Sequence, residues 1–496
     1  MLVFCLLAGT APEAFAQQTV LSQPVSVSFH HTAADSALHL LEKATGYNLT
    51  YNARFVPQNR YMDAFFKSVP FGVILDSIFA NPLLQYKQIG RQVVVFLPQD
   101  KRLFSRPEYR YTGRVVVAGT GAPLPYATAG ILHRGFGVIC NKEGFFAITI
   151  PEEYLKDTLM ISALGYYPLK VPVSVLDSFR LFRLHQKIVS LPEILIRSLP
   201  ARELVRRAIL HIPDHYDANA FTFGGFYREE VKKNRQYMSY TEALLQIYKK
   251  PMRPTLYHDQ VKVLKMRKYT NITTKDSVLF KLQGGLQAVL SLDLIRRQPG
   301  FLSAGQMNRF VYALQNMTVL DNRLLYVVSF SPRNENVLPA VTGTLYIDAT
   351  SLAIVRIVFH YERKSLRKNR VQYVLKKRGH VQAFPVWAEY RVSYQRYQGR
   401  YYIQYVLGNI RFKVKRQKHW LRSTYTLSFE IMRTNINNKN PGRFAANETL
   451  PPGKIFSDQK TGYDVSYWHK ANILVPEADI QQALKGFRKE VLGIKK

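Results

Sequence analysis

Cysteine and acidic residues are both scarce in this chain of 496 residues. The only cysteines are Cys5 and Cys140, so a framework of several disulfides is excluded. The chain has 34 Asp and Glu against 69 Lys and Arg, which leaves a net charge of +35. The H-E-x-x-H, Walker A and G-x-S-x-G motifs do not occur. The sequence therefore gives no motif-level basis for zinc-peptidase, P-loop or serine-hydrolase chemistry.

The N-terminus has the pattern of a signal peptide. A short apolar run covers residues 2–8, and Ala14-Phe15-Ala16 then supplies a small-x-small cleavage site. We predict that residues 1–16 are removed, which makes the protein exported and either periplasmic or outer-membrane associated. Cys5 would leave with this segment, and Cys140 is expected to be a small buried hydrophobe rather than a nucleophile. No later stretch has the length and lack of charge of a transmembrane helix.

The excess positive charge favours partners that are polyanions. For an exported protein these are anionic lipid or lipopolysaccharide, and nucleic acid is not expected. The alternative is a solvated basic surface without a dedicated partner. Aromatic residues make up 13% of the chain, a composition that favours strands. The predicted fold class is multidomain and mainly β, with an α+β part.

Residues 25–98 are predicted to form a small α/β domain. Val25–Phe29 alternates like a strand, and Thr32 with Asp35 suggests a helix N-cap. A second helix is predicted after Pro70, and a hairpin around Gly90. The segments "ALHLLEKATGYNLTY", "VPFGVILDSIFANPLLQYK" and "RQVVVFLP" resemble the secretin and TonB short N-terminal (STN) domain. That resemblance implies a periplasmic module for protein–protein contact, or a TonB-linked signalling module.

Residues 111–190 contain short β segments between Gly/Pro turns. The pieces "PLPYA", "EGFF" and "ISALGY" follow the strand at Gly113–Val117 in that order. They are similar to the carboxypeptidase regulatory-like domain of Bacteroidetes envelope proteins. The resemblance implies a transthyretin-like β-sandwich of about seven strands without peptidase chemistry. Gly144 lies where a tight turn needs a positive φ.

Residues 200–480 are predicted to form a large, strand-rich antiparallel domain with a few helices. Residues 201–212 have helical periodicity, and so do residues 285–297. Three segments resemble the uncharacterised C-terminal portions of Bacteroidetes envelope proteins: "GFYREE", "TGTLYIDATSLAIVRIVF" and "SYWHKANILVPEADI". The strand–turn–strand pattern around Asp348 is also similar to the half-barrel of periplasmic lipoprotein carriers.

Candidate catalytic or metal-binding groups are few. His39 and Glu42 have the H-x-x-E spacing of a zinc site but no third ligand, and they are expected to be solvated helix residues. His211 and His215 are four residues apart, yet Pro213 breaks the helix between them. The remaining carboxylates of interest are Glu229, Glu230 and Asp348, the last being a predicted turn former. No catalytic residue, metal or cofactor is predicted.

A basic cluster near the C-terminal end has the pattern of an anion-contacting strand. Arg411, Lys413 and Lys415 alternate, so a strand places them on one face. Like charges so close repel unless an anion screens them, and Trp420 could sit at a headgroup layer. These four residues form the predicted anion contact. The alternative is a solvated face whose charge blocks edge pairing. A second basic cluster covers residues 363–378.

Together these patterns predict a non-enzymatic binding or scaffold protein of the cell envelope. Its N-terminal module and sandwich would contact envelope proteins, and its basic sheet would contact anionic envelope material. The rival hypothesis is an envelope hydrolase of cell-wall or carbohydrate polymers, with convergent carboxylates or histidines in a cleft of residues 200–480. A TonB-linked signalling module is the third.

Overall fold

A computed structural model describes residues 20–96, 108–189 and 200–482 of the chain. Within these ranges, short gaps are left at 52–54, 58–59, 82–83, 235, 253–257, 271–284, 369–380, 417–422, 440, 452–455, 457–467 and 469–470. The predicted signal peptide lies outside the described residues. The chain divides into two compact units, Met1–Arg106 and Pro107–Lys496. None of the described helices is both long and apolar enough to cross a membrane.

The first unit alternates strands and helices as the sequence predicts. Its elements are β1 (Pro24–Ala33), α1 (Ala34–Thr45), β2 (Asn48–Thr50), β3 (Tyr61–Pro70), α2 (Phe71–Phe79), β4 (Gln85–Ile89) and β5 (Gln92–Phe96). Strand β1 pairs with β3, and a second sheet has the order β2-β5-β4. Both helices bury an apolar face in one core, which includes Leu38, Leu41, Ile74 and Ile78. Each helix is therefore amphipathic, with its apolar face in the core.

The predicted N-cap at Thr32 is wrong. Strand β1 continues to Ala33, which pairs with Tyr61, so the backbone of Thr32 is part of the sheet. The Thr32 hydroxyl bonds to the backbone of His30 rather than to the first turn of α1. Gly46 closes the other end of α1 with a φ of +71°, and its backbone N–H donates to the Glu42 carbonyl.

The second unit begins with a β-sandwich. Its seven strands are β6 (Glu108–Val117), β7 (Thr128–Ile131), β8 (Phe136–Ile139), β9 (Phe145–Pro151), β10 (Thr158–Ser162), β11 (Leu169–Pro172) and β12 (Phe179–Leu184). They form two sheets, β11-β10-β7-β8 and β12-β6-β9, which share one hydrophobic core. Cys140 is fully buried in that core. Burial raises the pKa of its thiol far above the usual value, so the thiolate needed for nucleophilic chemistry is suppressed.

A ten-stranded antiparallel sheet dominates the rest of the second unit. Its strands are β13 (Phe221–Lys233), β14 (Gln236–Lys249), β15 (Gln260–Thr270), β16 (Phe310–Leu320), β17 (Arg323–Pro332), β18 (Val341–Asp348), β19 (Ile354–Tyr361), β20 (Val381–Tyr397), β21 (Arg400–Arg416) and β22 (Ser423–Asn437). The order is β15-β14-β13-β22-β21-β20-β19-β18-β17-β16. The predicted fold class, mainly β and multidomain with a few helices, is confirmed.

Among the described residues, five short α-helices accompany this sheet: α3 (Ala201–Leu210), α4 (Ile212–His215), α5 (Gly285–Leu290), α6 (Leu294–Arg297) and α7 (Arg363–Lys368). The segment predicted as one helix over 285–297 is therefore two, separated by a turn. Helices α3, α5 and α6 pack on one face of the sheet, called here the inner face, with Ile410, Leu427 and Ile431 of the strands. The opposite, outer face meets the sandwich through residues such as Phe226 and Leu407.

Replacing Gly144 with alanine is expected to destabilise the sandwich by more than the cost of placing alanine at a positive φ. Gly144 has φ +82°, and a Cβ built there would lie 2.4 Å from the carbonyl oxygen of Val115. Gly399 has the same φ of +82° with nothing within 4 Å of its built Cβ. Gly399→Ala should therefore cost only the backbone penalty of roughly 1–2 kcal/mol, and Gly144→Ala clearly more. Thermal unfolding of both variants measures the difference, and equal losses would contradict it.

Candidate functional site

Strand β21 crosses two different environments on the outer face of the sheet. Tyr405 and Leu407 are buried in the core shared with the sandwich. Farther along the same face, Arg411, Lys413 and Lys415 are exposed. The intervening residues, Phe412 and Val414, belong to the core on the inner face. Alternation along β21 therefore places a row of cations on the outer face, in solvent, and a row of apolar side chains on the inner face.

Arg411, Lys413 and Lys415 form the basic stripe. Alternate residues on a strand are about 6.8 Å apart, so each cation lies within about one Debye length of its neighbour in the row. The Lys413 ammonium donates to the Thr424 hydroxyl at 2.9 Å. No ion pair involves any of the three cations within the part of the chain that the structure describes. The stripe thus presents positive charge to solvent, as the sequence predicted for these three residues.

An exposed tryptophan borders the basic stripe, but it is not the one expected. Trp420 lies outside the described residues. Trp387 on β20 pairs directly with Arg411 and is 36% exposed. Its ring stacks on His360, with centroids 4.9 Å apart and an interplanar angle of 17°. The sequence analysis missed Trp387, because a register shift between Ser393 and Tyr394 is what brings it beside Arg411.

A second group of charges is buried where the sandwich meets the sheet. Arg228 on β13 is 1% exposed, and its guanidinium lies 2.9 Å from a Glu242 oxygen. It lies 3.5 Å from Glu430 and 3.4 Å from Glu477. Glu242 and Glu430 are its direct cross-strand neighbours. Arg267 also pairs with Glu242. We call these five residues the Arg228 cluster.

Arg228 is held in its charged form by these surroundings. Burial alone would lower the pKa of its guanidinium, but Tyr240 and the glutamates raise it well above the usual value. The hydroxyl of Tyr240 donates to Glu242, and the hydroxyl of Tyr405 donates to Glu430. The carboxylates are thus paired and hydrogen-bonded, which buried charges require.

Three motifs from distant parts of the sequence converge at this cluster. Arg228 belongs to "GFYREE" and Glu477 to "SYWHKANILVPEADI". From the sandwich, Glu143 of "EGFF" accepts a hydrogen bond from the backbone N–H of Ala478 at 3.2 Å. Asn472 accepts from the Thr149 N–H at 2.7 Å. The C-terminal segment therefore joins the sandwich to the sheet, which gives the resembling motifs a structural role.

Glu230 lies beside this cluster with an unsatisfied oxygen. It is 5% exposed, and its Oε2 has no hydrogen-bond partner within the described part of the chain. Burial raises the pKa of its carboxyl, and the cations Lys142, Lys232 and Arg228 oppose that shift without cancelling it. The neighbouring carboxylate Glu477 acts in the same direction as burial.

The other residues that the sequence singled out lie in ordinary structural contacts. His39 and Glu42 bond to each other at 3.0 Å, while Glu42 also accepts from the Leu49 N–H at 2.6 Å. The exposed His211 bonds to Asp214 at 2.8 Å. No group of three or more His, Cys, Asp or Glu suited to a metal ion occurs among the described residues.

Glu229 and Asp348, the remaining candidates, are also engaged. Glu229 accepts from the Tyr227 hydroxyl at 2.8 Å. Asp348 accepts from the N–H groups of Thr350 and Ser351 at 3.0 and 2.8 Å, which confirms that it forms the turn. It also pairs with Arg323 at 3.1 Å. Neither residue belongs to the Arg228 cluster.

Comparison with solved structures gave distant matches. No protein-family model matches the chain, and no curated protein does. A DUF1329 family protein from Desulfovibrio piger is 9% identical with a TM-score of 0.18, over 47% of this chain and 94% of the other. The LolA superfamily protein NE2245 from Nitrosomonas europaea is 10% identical with a TM-score of 0.17, over 50% and 99%. Lipovitellin is 7% identical with a TM-score of 0.21, over 47% and 27%. Scores of this size assign no function.

Replacing Arg228 with methionine should destabilise the second unit by about 3–5 kcal/mol, because it leaves buried carboxylates without their cation. Arg206→Met is the matched control. Arg206 also pairs with a glutamate, Glu203, at 2.6 Å, but both side chains are largely exposed, so little change is expected. Denaturant unfolding of the full chain measures both. Equal stability of the two variants would mean that the cluster does not hold the joint together.

Replacing Glu230 with glutamine should stabilise the protein at neutral pH. A carboxyl whose pKa is raised on folding binds its proton more tightly in the folded state. The stability it contributes is present below the ordinary glutamate pKa and is lost as pH rises through the folded-state pKa. The gain in unfolding temperature should therefore be largest at pH 7–8 and shrink toward pH 4.5. The exposed Glu152→Gln serves as control, and a lower unfolding temperature for Glu230→Gln at pH 7 would contradict the assignment.

Proposed function

We propose that this chain is a non-enzymatic binding or scaffold protein of the cell envelope whose basic stripe contacts an anionic surface. The observation that carries the proposal is the row of three exposed cations, Arg411, Lys413 and Lys415, without a paired carboxylate among the described residues. An anionic partner would supply the missing counter-charge. Lipid headgroups and lipopolysaccharide both have the required chemistry.

The physics of the stripe favours an extended anionic surface. Alternate strand positions are about 6.8 Å apart and the Debye length at physiological salt is about 8 Å, so neighbouring cations of the row repel one another. An array of negative headgroups would offset this repulsion, because each cation would then lie near a counter-charge. Trp387 beside Arg411 adds an amphipathic ring of the kind enriched at membrane interfaces. Cations and an aromatic ring together fit a headgroup layer.

The first unit and the sandwich are proposed to contact other envelope proteins, as their family resemblances imply. In the first unit, Phe65 and Tyr61 on β3 are 74% and 57% exposed. They lie on one face of the strand, and His31 stacks on Tyr61 at 4.5 Å. Large exposed aromatic side chains grouped on one surface are typical of protein-binding sites. This supports a docking role for the first unit.

The hydrolase hypothesis depends on carboxylates that are free to act as acid and base. Glu230, Glu430 and Glu477 do come together, but each is at most 9% exposed. Glu430 and Glu477 both lie within 3.5 Å of the Arg228 guanidinium, so neither is free to contact a substrate. A glycosidase pair needs room for substrate or water between its carboxyl groups. These contacts support a structural role for the cluster, and with it the non-enzymatic proposal.

Changing Arg411, Lys413 and Lys415 together to glutamine should weaken binding to vesicles that contain anionic lipid. Each cation near such a surface contributes enough for the triple change to lower partitioning by roughly 100-fold at low salt. The difference should shrink as salt is raised. Vesicle co-sedimentation at two salt concentrations, with neutral vesicles in parallel, measures both effects.

The control replaces Lys156, Lys170 and Arg183 with glutamine. These three residues are exposed in the sandwich, and their replacement removes the same total charge. It should retain most of the binding. If the control weakens binding as much as the stripe variant, net charge rather than the stripe is responsible. If single-stranded RNA competes equally well with the vesicles, the stripe is a general polyanion site and the membrane assignment fails.

A further inference from the structure

A cavity of about 240 Å³ opens at one end of the inner face of the ten-stranded sheet. Its walls include Leu294, Phe301, Phe310, Val337 and Phe359. These side chains come from α6, from the turns that precede β16, from β16 itself, from the segment before β18, and from β19. All of its lining residues belong to the described chain. The cavity is separate from the basic stripe, which lies on the outer face.

The walls of the cavity are fixed by aromatic packing. The rings of Phe301 and Phe330 stack with centroids 4.3 Å apart and an interplanar angle of 13°. Phe359 stacks on Tyr390 at 5.1 Å, and Tyr390 contacts Phe429. Protein interiors leave few voids larger than a water molecule. A space of this size against rigid aromatic walls is therefore a preformed apolar pocket that does not need other side chains to move.

The rim of the same cavity is positively charged. Arg297 and Arg309 both line it, and both are exposed. Arg309 donates from Nη2 to the Leu338 carbonyl at 3.2 Å, which fixes its side chain at the rim and leaves its other N–H groups for a ligand. The charge of Arg297 acts on the Tyr361 hydroxyl, where it opposes the rise in pKa that burial causes. No acidic residue of the described chain lines the cavity.

We propose that this cavity binds a medium-chain fatty acid, with the chain against the aromatic walls and the carboxylate between Arg297 and Arg309. An apolar cavity of about 150 Å³ holds a benzene ring, so this one accommodates a chain of roughly eight to ten carbons. Arginine recognises carboxylates through paired N–H donors. A neutral apolar ligand would leave both guanidinium groups unused, and a small anion would leave the apolar walls exposed.

Titration calorimetry of the full chain with decanoate, below its micelle concentration, tests the proposal. We expect one saturable site, with decanol binding more weakly because it lacks the charged group. The double change Arg297→Gln and Arg309→Gln should lower decanoate affinity at least about tenfold and leave decanol binding unchanged. Because both arginines are at the surface, this variant tests the ligand without disturbing the core.

The matched control changes Arg180 and Arg183 on β12 to glutamine. Arg180 also donates to a single backbone carbonyl, that of Val175 at 3.4 Å, and it lies in the sandwich away from the cavity. The decanoate affinity of this control variant should equal that of the wild type. Val337→Phe, which fills the cavity, should abolish binding of both ligands if its unfolding temperature shows that it folds. The proposal is overturned if wild-type protein shows no saturable decanoate binding, or if the Arg297/Arg309 variant binds decanoate as tightly as the control.

Discussion

Arg228 carries a positive charge into the interior of the second unit, where only carboxylates can compensate it. Two of its partners, Glu242 and Glu430, are its neighbours across the sheet, and the third, Glu477, arrives from the C-terminal segment. Removing Arg228 would leave buried carboxylates without the cation they share, which is far costlier than losing a surface ion pair. These charges tie the C-terminal segment to the sheet, and hydrogen bonds of the same segment to Glu143 and Thr149 join it to the sandwich.

This joint also determines which part of the outer face remains available. The sandwich covers Tyr405 and Leu407 on β21, so the apolar part of that face is removed from water. Arg411, Lys413 and Lys415 lie beyond it and stay exposed. The inner face is buried along the same strand by Phe412 and Val414. One long strand thus contributes to two cores and to the proposed anionic contact, because its two faces have different neighbours along its length.

The two proposed ligand sites require different structural features. The basic stripe needs only an exposed strand with alternating cations, and its strength depends on salt. The cavity needs several elements to meet around a space that their side chains do not fill, with Arg297 and Arg309 at its edge. Both sites attract anions, yet they lie on opposite faces of the sheet. Variants of one site should therefore leave the other intact, which makes the two proposals independent.

Periodicity in the sequence determined the helices at 34–45 and 71–79, the long β segments, the turn at Asp348 and the exposure of the basic stripe, because each follows from the order of residues within one element. Tertiary structure decided the rest. A regular hairpin around Gly399 would place Trp387 opposite Ile410 on the inner face. The irregularity between Ser393 and Tyr394 shifts the register by one residue, so Trp387 pairs with Arg411 on the outer face instead. The pairing of Arg228 with Glu477, 249 residues away, likewise depends on how separate elements pack, which no local pattern contains.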